Sequence, residues 1–326
     1  MQADSDALFA ALGISDEGPF TRAFSYSNEV WLGPSVVLRL TPPERSWASA
    51  QEQDLLYRLP DAVPHPDVLG SGTYRDRPWL LLRRMPGITL MKAWPALSVA
   101  DRRSVIHQLG QAMRALHHVP MPAHWQRADL RPDALSALAE PLDVAAPYQQ
   151  PPERVHVLAR AARAVPGLDH SLVDAAEAFV AERLPLFSAD RHVLVHTDLF
   201  GQNLLVEGGR LTAVLDFEMA RLAASDLELD VPLRFCNWPH LPVPEEDEHL
   251  MRPEEFLRVP TWLAEVYPEL FAMPRLRERM QVYAVMHDLR QSIQFPERPG
   301  DPAWKPAQRL RAIIRGRSYL RHLLPR

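Results

Sequence analysis

The sequence predicts an α+β chain of two unequal lobes, a small β-rich lobe at the N-terminus and a larger, mainly helical lobe after it. Three observations carry that expectation. Strand-like runs crowd into the first 84 residues around a single helical segment. A Met85-Pro86-Gly87 break follows. Beyond it helical spacing dominates, interrupted by one β-rich island between Val193 and Asp216.

Each element follows from local pattern. Residues 6–12 read as a short helix. Glu29–Leu32 and Val36–Leu40 read as strands joined by the turn residues Gly33-Pro34-Ser35. Residues 49–59 place Leu55, Leu56 and Leu59 on one helical face, and strand patterns follow at 67–74 and 79–84. After the break, residues 98–117 space Val105, Ile106, Leu109, Met113 and Leu116 helically. Residues 172–184, 276–293 and 307–324 are the other long helical candidates. Residues 253–259 form a shorter one, with Pro253 where a first turn tolerates it. Pro120, Pro122 and Pro132 mark an irregular stretch. Within the island, apolar runs at 193–195, 203–206 and 211–216 end in polar residues, where loops on a rigid frame present chemistry. The lobes are expected at 1–84 and 85–326, with a hinge at about 83–87.

Composition narrows the function. The chain has 326 residues, enough for two substantial cores. A net charge of −5 argues against non-specific nucleic-acid binding, which needs a basic surface. Cys236 is the single cysteine, so an internal disulfide and a four-cysteine zinc site are excluded and a reducing cytoplasm is expected. The acidic start, Met1 to Asp6, is unlike a signal peptide. No apolar run approaches the ~20 residues that span a bilayer. Neither GxxxxGK[ST] nor GxGxxG occurs, which speaks against P-loop and Rossmann folds.

The chemistry concentrates in His196-Thr197-Asp198-Leu199-Phe200-Gly201-Gln202-Asn203. Asp198 and Asn203 stand five apart, as in the catalytic-loop pattern H-R-D-x-x-x-x-N. Asp216 follows in Leu215-Asp216-Phe217-Glu218, with Glu218 where a metal-binding DFG segment has glycine. A hydroxyl acceptor must be oriented and must lose a proton as it attacks, and one carboxylate within reach does both, the role expected of Asp198. Triphosphate oxygens call for Mg²⁺, which needs only one or two protein carboxylates beside its waters. Asp216 with the amide oxygen of Asn203 supplies that minimum.

On these residues the sequence resembles the aminoglycoside phosphotransferase family of small-molecule kinases, whose HGDLxxxN and IDFE or IDWE segments read HTDLFGQN and LDFE here. The resemblance implies a bilobal protein-kinase-like fold with ATP or GTP as phosphoryl donor and Mg²⁺ as metal. Ser27-Asn28-Glu29-Val30 is similar to the family's SNxV nucleotide-loop segment. Val37-Leu38-Arg39 resembles its third strand, with Arg39 in place of the usual Lys as the phosphate contact and Glu52 as its ion-pair partner. Trp79 to Gly87 resembles the hinge that meets the nucleotide base, which puts Arg83 and Met85 against the nucleotide. Leu109-Gly110 to Leu116-His117 resembles the LGxxLxxLH helix. Thr197 replaces the usual glycine, at little cost if its backbone angles are ordinary.

Other residues keep two readings. His196 is read as a hydrogen-bonding support of its loop. Glu218 either holds the metal loop or faces the substrate. Asp226, Glu228 and Asp230 are helix N-terminal charges or, for Asp230, a substrate contact. Trp238, Trp262 and Trp304 are core residues or walls for a substrate ring. Residues 245–248, all acidic, read as a solvated surface. Arg309 to Arg326 reads as an amphipathic helix on the large lobe. The resemblance implies O-phosphorylation of a small-molecule hydroxyl by a monomer or homodimer. An antibiotic is the first expectation for the acceptor, choline, homoserine or a sugar the second, and a non-catalytic nucleotide-binding module the third.

Overall fold

The computed structural model describes residues 2–23, 25, 27–122, 125, 151–188, 191–241, 243–294 and 305–324. Helix α1 (Gln2–Ala11) precedes a five-stranded antiparallel sheet built from β1 (Thr21–Ala23), β2 (Glu29–Leu32), β3 (Val36–Leu40), β4 (Val68–Tyr74) and β5 (Arg77–Arg83). Its strand order is β1-β2-β3-β5-β4, and α2 (Ser46–Leu56) is inserted between β3 and β4.

The two-residue period of β3 decides which side chain meets what. Leu38 and Leu40 pack with Leu8, Phe9 and Ile14 on one face. Arg39 therefore points the other way, opposite Leu80 of β5 in the register. On that face α2 presses Leu55 and Leu56 against Leu80 and Leu82. An arginine is thus pinned in the seam between sheet and helix, where Glu52 of α2 is also buried.

The rest of the chain is mainly helical. In order it comprises β6 (Ile88–Thr89), α3 (Leu90–Ala93), α4 (Val99–Leu116), α5 (Val155–Arg163), α6 (His170–Ala181), β7 (His192–Val195), β8 (Leu204–Glu207), β9 (Arg210–Val214) and β10 (Arg221–Ala224). Then come α7 (Asp230–Asn237), α8 (Pro253–Phe256), α9 (Val259–Val266), α10 (Pro268–Phe271), α11 (Leu276–Gln294), α12 (Pro306–Ile314) and α13 (Leu320–Leu323). The island is two small antiparallel sheets, β6-β8-β9 and β10-β7. Among the described residues no helix is long and apolar enough to cross a membrane.

Helix α4 starts where Ser98 Oγ accepts the Asp101 N–H at 3.1 Å, an N-cap. Its apolar stripe of Val105, Ile106, Leu109, Met113 and Leu116 is buried. Gly110 lets α9 approach so closely that a Cβ there would lie 2.5 Å from Val266 Cγ2. The single helix expected at 307–324 is instead two, because the chain turns at Gly316 with φ +70°. Its apolar residues Leu310, Ile313, Leu320 and Leu323 are buried as an amphipathic segment requires. Cys236 and Trp262 are core residues. Pro132 and Trp304 lie outside the described residues.

The connection after β5 is fixed at two points. Thr212 Oγ1 donates to the Pro86 carbonyl at 2.6 Å. Gly87 has φ +103°, and a Cβ there would come within 2.4 Å of the Val206 carbonyl oxygen. Gly87→Ala is therefore expected to destabilise the chain by about 2 kcal/mol or more, through a disfavoured backbone angle and a clash with rigid backbone. Denaturant unfolding measures this, and an unchanged midpoint would contradict the steric account.

Candidate active site

Three loops meet where the sheet faces the island. The β7–β8 loop carries His196 to Asn203, the segment after β9 carries Asp216 to Met219, and the β1–β2 loop carries Ser27 and Asn28. Asn203 Nδ2 donates to both the main-chain carbonyl and Oδ2 of Asp198, each at 2.9 Å. The five-residue spacing thus closes a turn that fixes the Asp198 carboxylate. It also commits the amide N–H₂ of Asn203 and leaves its carbonyl oxygen as the group not used on Asp198.

The loop is held from below by Glu228. Its two carboxylate oxygens accept the N–H groups of His196 (2.8 Å) and Thr197 (3.1 Å). His117 Nε2 stands 3.4 Å from the same carboxylate and its Nδ1 lies 2.9 Å from the Tyr267 hydroxyl. Glu228 is buried; burial works to raise its pKa, but its contact with His117, its proximity to the His196 ring and the bond from the His196 N–H hold it below the ordinary value. His196 is wholly enclosed, which lowers its pKa. Its Nε2 faces the Leu215 carbonyl at 2.8 Å and its Nδ1 accepts the Asp198 N–H at 3.3 Å, the pattern of a neutral ring supporting the loop.

Thr197 departs from expectation. Its φ is +69°, in the left-handed region, so the glycine usual at this point has a steric reason. Threonine is kept there by its hydroxyl, which donates to the Met219 carbonyl at 3.0 Å, and by the grip of Glu228 on its N–H. Asp216 also has positive φ, +63°. Such angles cost on the order of 1–3 kcal/mol each and persist only where surroundings over-determine them.

Arg39 and Glu52 form a buried bidentate pair, with Nη1 donating to Glu52 Oε1 at 3.1 Å and Nη2 against Oε2. Arg39 Nη1 also reaches Asp216 Oδ1 at 3.3 Å. Glu52 Oε1 further accepts the Phe217 N–H at 3.1 Å, so one carboxylate ties β3 to the segment after β9. Glu218 gathers Ser27 Oγ (3.1 Å), Asn28 Nδ2 (2.9 Å) and Arg45 Nη2 (2.8 Å).

Charge at this junction is unbalanced. Four carboxylates, Glu52, Asp198, Asp216 and Glu218, meet two guanidiniums, Arg39 and Arg45. Asp198 pays for this most visibly: burial first, then the Asp216 charge, push its pKa up to about 7, against the hydrogen bond from Asn203. Asp216 is raised by burial and by Glu218, and pulled back by Arg39 and Arg45. For Glu218 burial works upward, but Arg39, Arg45, Asn28 and Ser27 together hold it below the ordinary value. Surplus negative charge beside the Asn203 amide suits Asp216 and Asn203 as the residues that could hold a divalent cation.

The remaining candidates lie apart from this cluster. The Arg83 side chain is exposed and bonds Asp67 through Nε at 2.7 Å. Met85 is half-buried after β5. Asp230 is buried and bonded to Arg234 at 2.5 Å, and Asp226 takes Nε and Nη2 of Arg279 at 2.6 and 2.8 Å. Trp238 packs on Tyr319 with ring centroids 4.7 Å apart, and the Arg309 guanidinium lies over it at 5.2 Å. The acidic residues 245–248 lie on the surface in a short 3₁₀ turn. Arg45 and the grip of Glu228 on the loop backbone had no local signal in the sequence, and His117 was marked only as the last residue of the LGxxLxxLH segment.

A family model described as the phosphotransferase enzyme family matches residues 22–252. No curated protein matches the chain in sequence. Among solved structures, a thermostable mutant of aminoglycoside phosphotransferase APH(4)-Ia in a ternary complex with ADP and hygromycin B is similar, with a TM-score of 0.64 and 17% identity over 95% of this chain and 97% of that one. The streptomycin-ATP-APH(2'')-IIa complex gives 0.63 and 12%, covering 99% of both chains. ADP-bound APH(2'')-Ib gives 0.61 and 11%, covering 97% of this chain and 100% of the other. At these identities the likeness is one of fold, a β-rich N-terminal sheet followed by a helical part in the kinase-like arrangement.

Replacing Glu228 by alanine leaves two buried loop N–H groups without acceptors. The expected loss is about 3 kcal/mol or more, at roughly 1–3 kcal/mol per orphaned group. Chemical denaturation of Glu228→Ala checks it, and a wild-type midpoint would show that the loop holds itself.

Proposed function

Because the chain belongs to the phosphotransferase enzyme family, we propose that it is a small-molecule kinase. In this reading it moves the terminal phosphoryl group of ATP or GTP to a hydroxyl of a small acceptor. The observation that carries the reading is the junction where Asn203 bonds Asp198 and, beside them, Arg39 bridges Glu52 and Asp216. The nucleotide would lie between lobes 1–84 and 85–326, its base near Arg83 and Met85 and its phosphates under Ser27, Asn28 and Arg39.

Asp198 accepts a hydrogen bond from the acceptor hydroxyl, orients it, and takes its proton as the oxygen attacks phosphorus. Asn203 holds Asp198 in position through Nδ2. Arg39, oriented by Glu52, neutralises phosphate oxygens as a planar cation. Asp216 and Asn203 would hold Mg²⁺, which when bound neutralises charge on the triphosphate. The chain's contribution is positioning and electrostatics more than covalent chemistry.

The acceptor is proposed to be an antibiotic, by analogy with relatives whose structures hold hygromycin B or streptomycin. One observation widens that class beyond polycations. Asp226 and Asp230, the acidic residues after the metal segment, are already bonded to Arg279 and Arg234. A metabolite kinase for choline, homoserine or a sugar is thus the second reading. A growth-inhibition panel with an Asp198→Ala control separates the two, since protection lost with Asp198 supports antibiotic inactivation. A cytoplasmic protein, monomeric or homodimeric, suits either.

Asp198→Asn is expected to reduce transfer at least about a thousandfold, with nucleotide affinity nearly unchanged. Wild-type turnover in that variant would remove the mechanism. Asp216→Ala should abolish the Mg²⁺ dependence of nucleotide binding, read by calorimetry with and without the metal. Because the Asp198 carboxyl is raised to about 7, it is protonated below that pH and cannot act as base. The kcat/KM profile should therefore fall on the acid side, at or below about pH 7, because a cation on Asp216 would offset the charge that raises Asp198. An acid limb that persists unchanged in Asp198→Asn would exclude Asp198 as the titrating base.

A further inference from the structure

The β1–β2 loop lacks the clustered glycines by which a phosphate loop usually shapes itself around a triphosphate. Something else must hold it. Ser27 and Asn28, the two residues ahead of β2, place their side chains on one carboxylate, that of Glu218. Glu218 belongs to the segment after β9, two residues beyond Asp216, and is buried. The loop is therefore moored across the cleft, over 190 residues of sequence, to the segment that also carries the candidate metal ligand.

The mooring has a counter-charge. Arg45, in the 3₁₀ turn just ahead of α2, donates Nη2 to Glu218 Oε1 at 2.8 Å. Arg45 is 9% exposed and Glu218 4%. Its Nε–H finds no acceptor among the described residues. Burying an ion pair costs more than apolar residues of similar volume would, so stability alone is a poor reason for it. A pair that fixes geometry is a better one. Without Arg45, Glu218 would be an uncompensated buried charge and would lose the partner that aims it. Without Glu218, Ser27 and Asn28 would lose their shared acceptor, and Asn28 already has a buried Oδ1 with no partner among the described residues.

We propose that Arg45 and Glu218 form a strap between the two lobes that sets the reach of the Ser27–Asn28 loop, and so act as positioning residues for the nucleotide phosphates. The assignment rests on the phosphotransfer reading above. It places Glu218 on the donor side of the reaction, not against the acceptor, and adds Arg45, which no local motif marks.

The test uses the full chain and two probes, Mg²⁺-ATP and Mg²⁺-GTP, titrated calorimetrically without acceptor at a temperature where every variant is folded. Glu218→Gln keeps shape and removes the charge. Arg45→Met removes the partner, and the double variant Arg45→Met/Glu218→Gln removes both charges, so that no orphan ion threatens the fold. Each single variant should weaken the better nucleotide by about tenfold or more, the loss of a charged hydrogen bond. The double variant should be little worse than either single one, because both act through one contact. Arg45→Lys should recover part of the loss. In the nucleotide-free protein, hydrogen exchange at residues 27–28 should accelerate in Arg45→Met while the β7–β8 loop stays protected. Variants that bind nucleotide as wild type does, or effects that add fully in the double variant, would overturn the strap while leaving the phosphotransfer reading intact. Wild-type protein that binds neither nucleotide would remove that reading, and the strap with it.

Discussion

Glu52 is the point from which the cleft is organised. Its carboxylate is the bidentate partner of Arg39 and accepts the Phe217 N–H, and Arg39 touches Asp216 in turn. A buried ion pair is tolerable only when its atoms are occupied in good geometry, and removing one member leaves a charge with nowhere to go. Strand β3, helix α2 and the segment after β9 are therefore not free to shift against one another. The alternation of β3 puts Leu38 and Leu40 in a separate apolar cluster and so leaves Arg39 no other face to use. Apolar packing sets the direction of the arginine, and the arginine sets the position of Asp216.

The loop that carries Asp198 is governed by a second carboxylate of the same kind. Glu228 spends both oxygens on the backbone of His196 and Thr197, with His117 and Tyr267 behind it. That grip explains how a β-branched residue survives at positive φ directly before Asp198. The two left-handed residues, Thr197 and Asp216, flank the carboxylates whose charges crowd each other. Strain in the backbone and repulsion among side chains are balanced by the same few buried contacts.

Much of this was legible in the sequence, for reasons that can be stated. The strands Glu29–Leu32 and Val36–Leu40 are short, mainly apolar runs on either side of the turn residues Gly33-Pro34-Ser35, and the α4 stripe has clean helical spacing. The convergence of Asp198 with Asn203 is local, five residues apart, so spacing alone exposes it. What stayed hidden is non-local or weak. Strand β6 has two residues and is defined only by its pairing with β8. Arg45 meets Glu218 across 173 residues, and nothing near Arg45 distinguishes it from a solvated arginine. The break at Gly316 was obscured because apolar residues on both sides of it keep one helical rhythm. The Thr197 angle is a property of the folded loop, and a side chain cannot announce it.

The burial of Cys236 has a practical consequence. It is the only thiol in the chain, it is fully enclosed in α7, and its surroundings push its pKa far up, so it is present as an unreactive thiol. The native protein is in effect a cysteine-free background for chemical labelling. A cysteine introduced at an exposed position on each side of the cleft, such as Tyr57 on the N-terminal side and Leu257 on the helical side, would be the sole target for a fluorophore or spin label. The separation of the two positions can then be read as a distance, with and without nucleotide, with no substitution in the core.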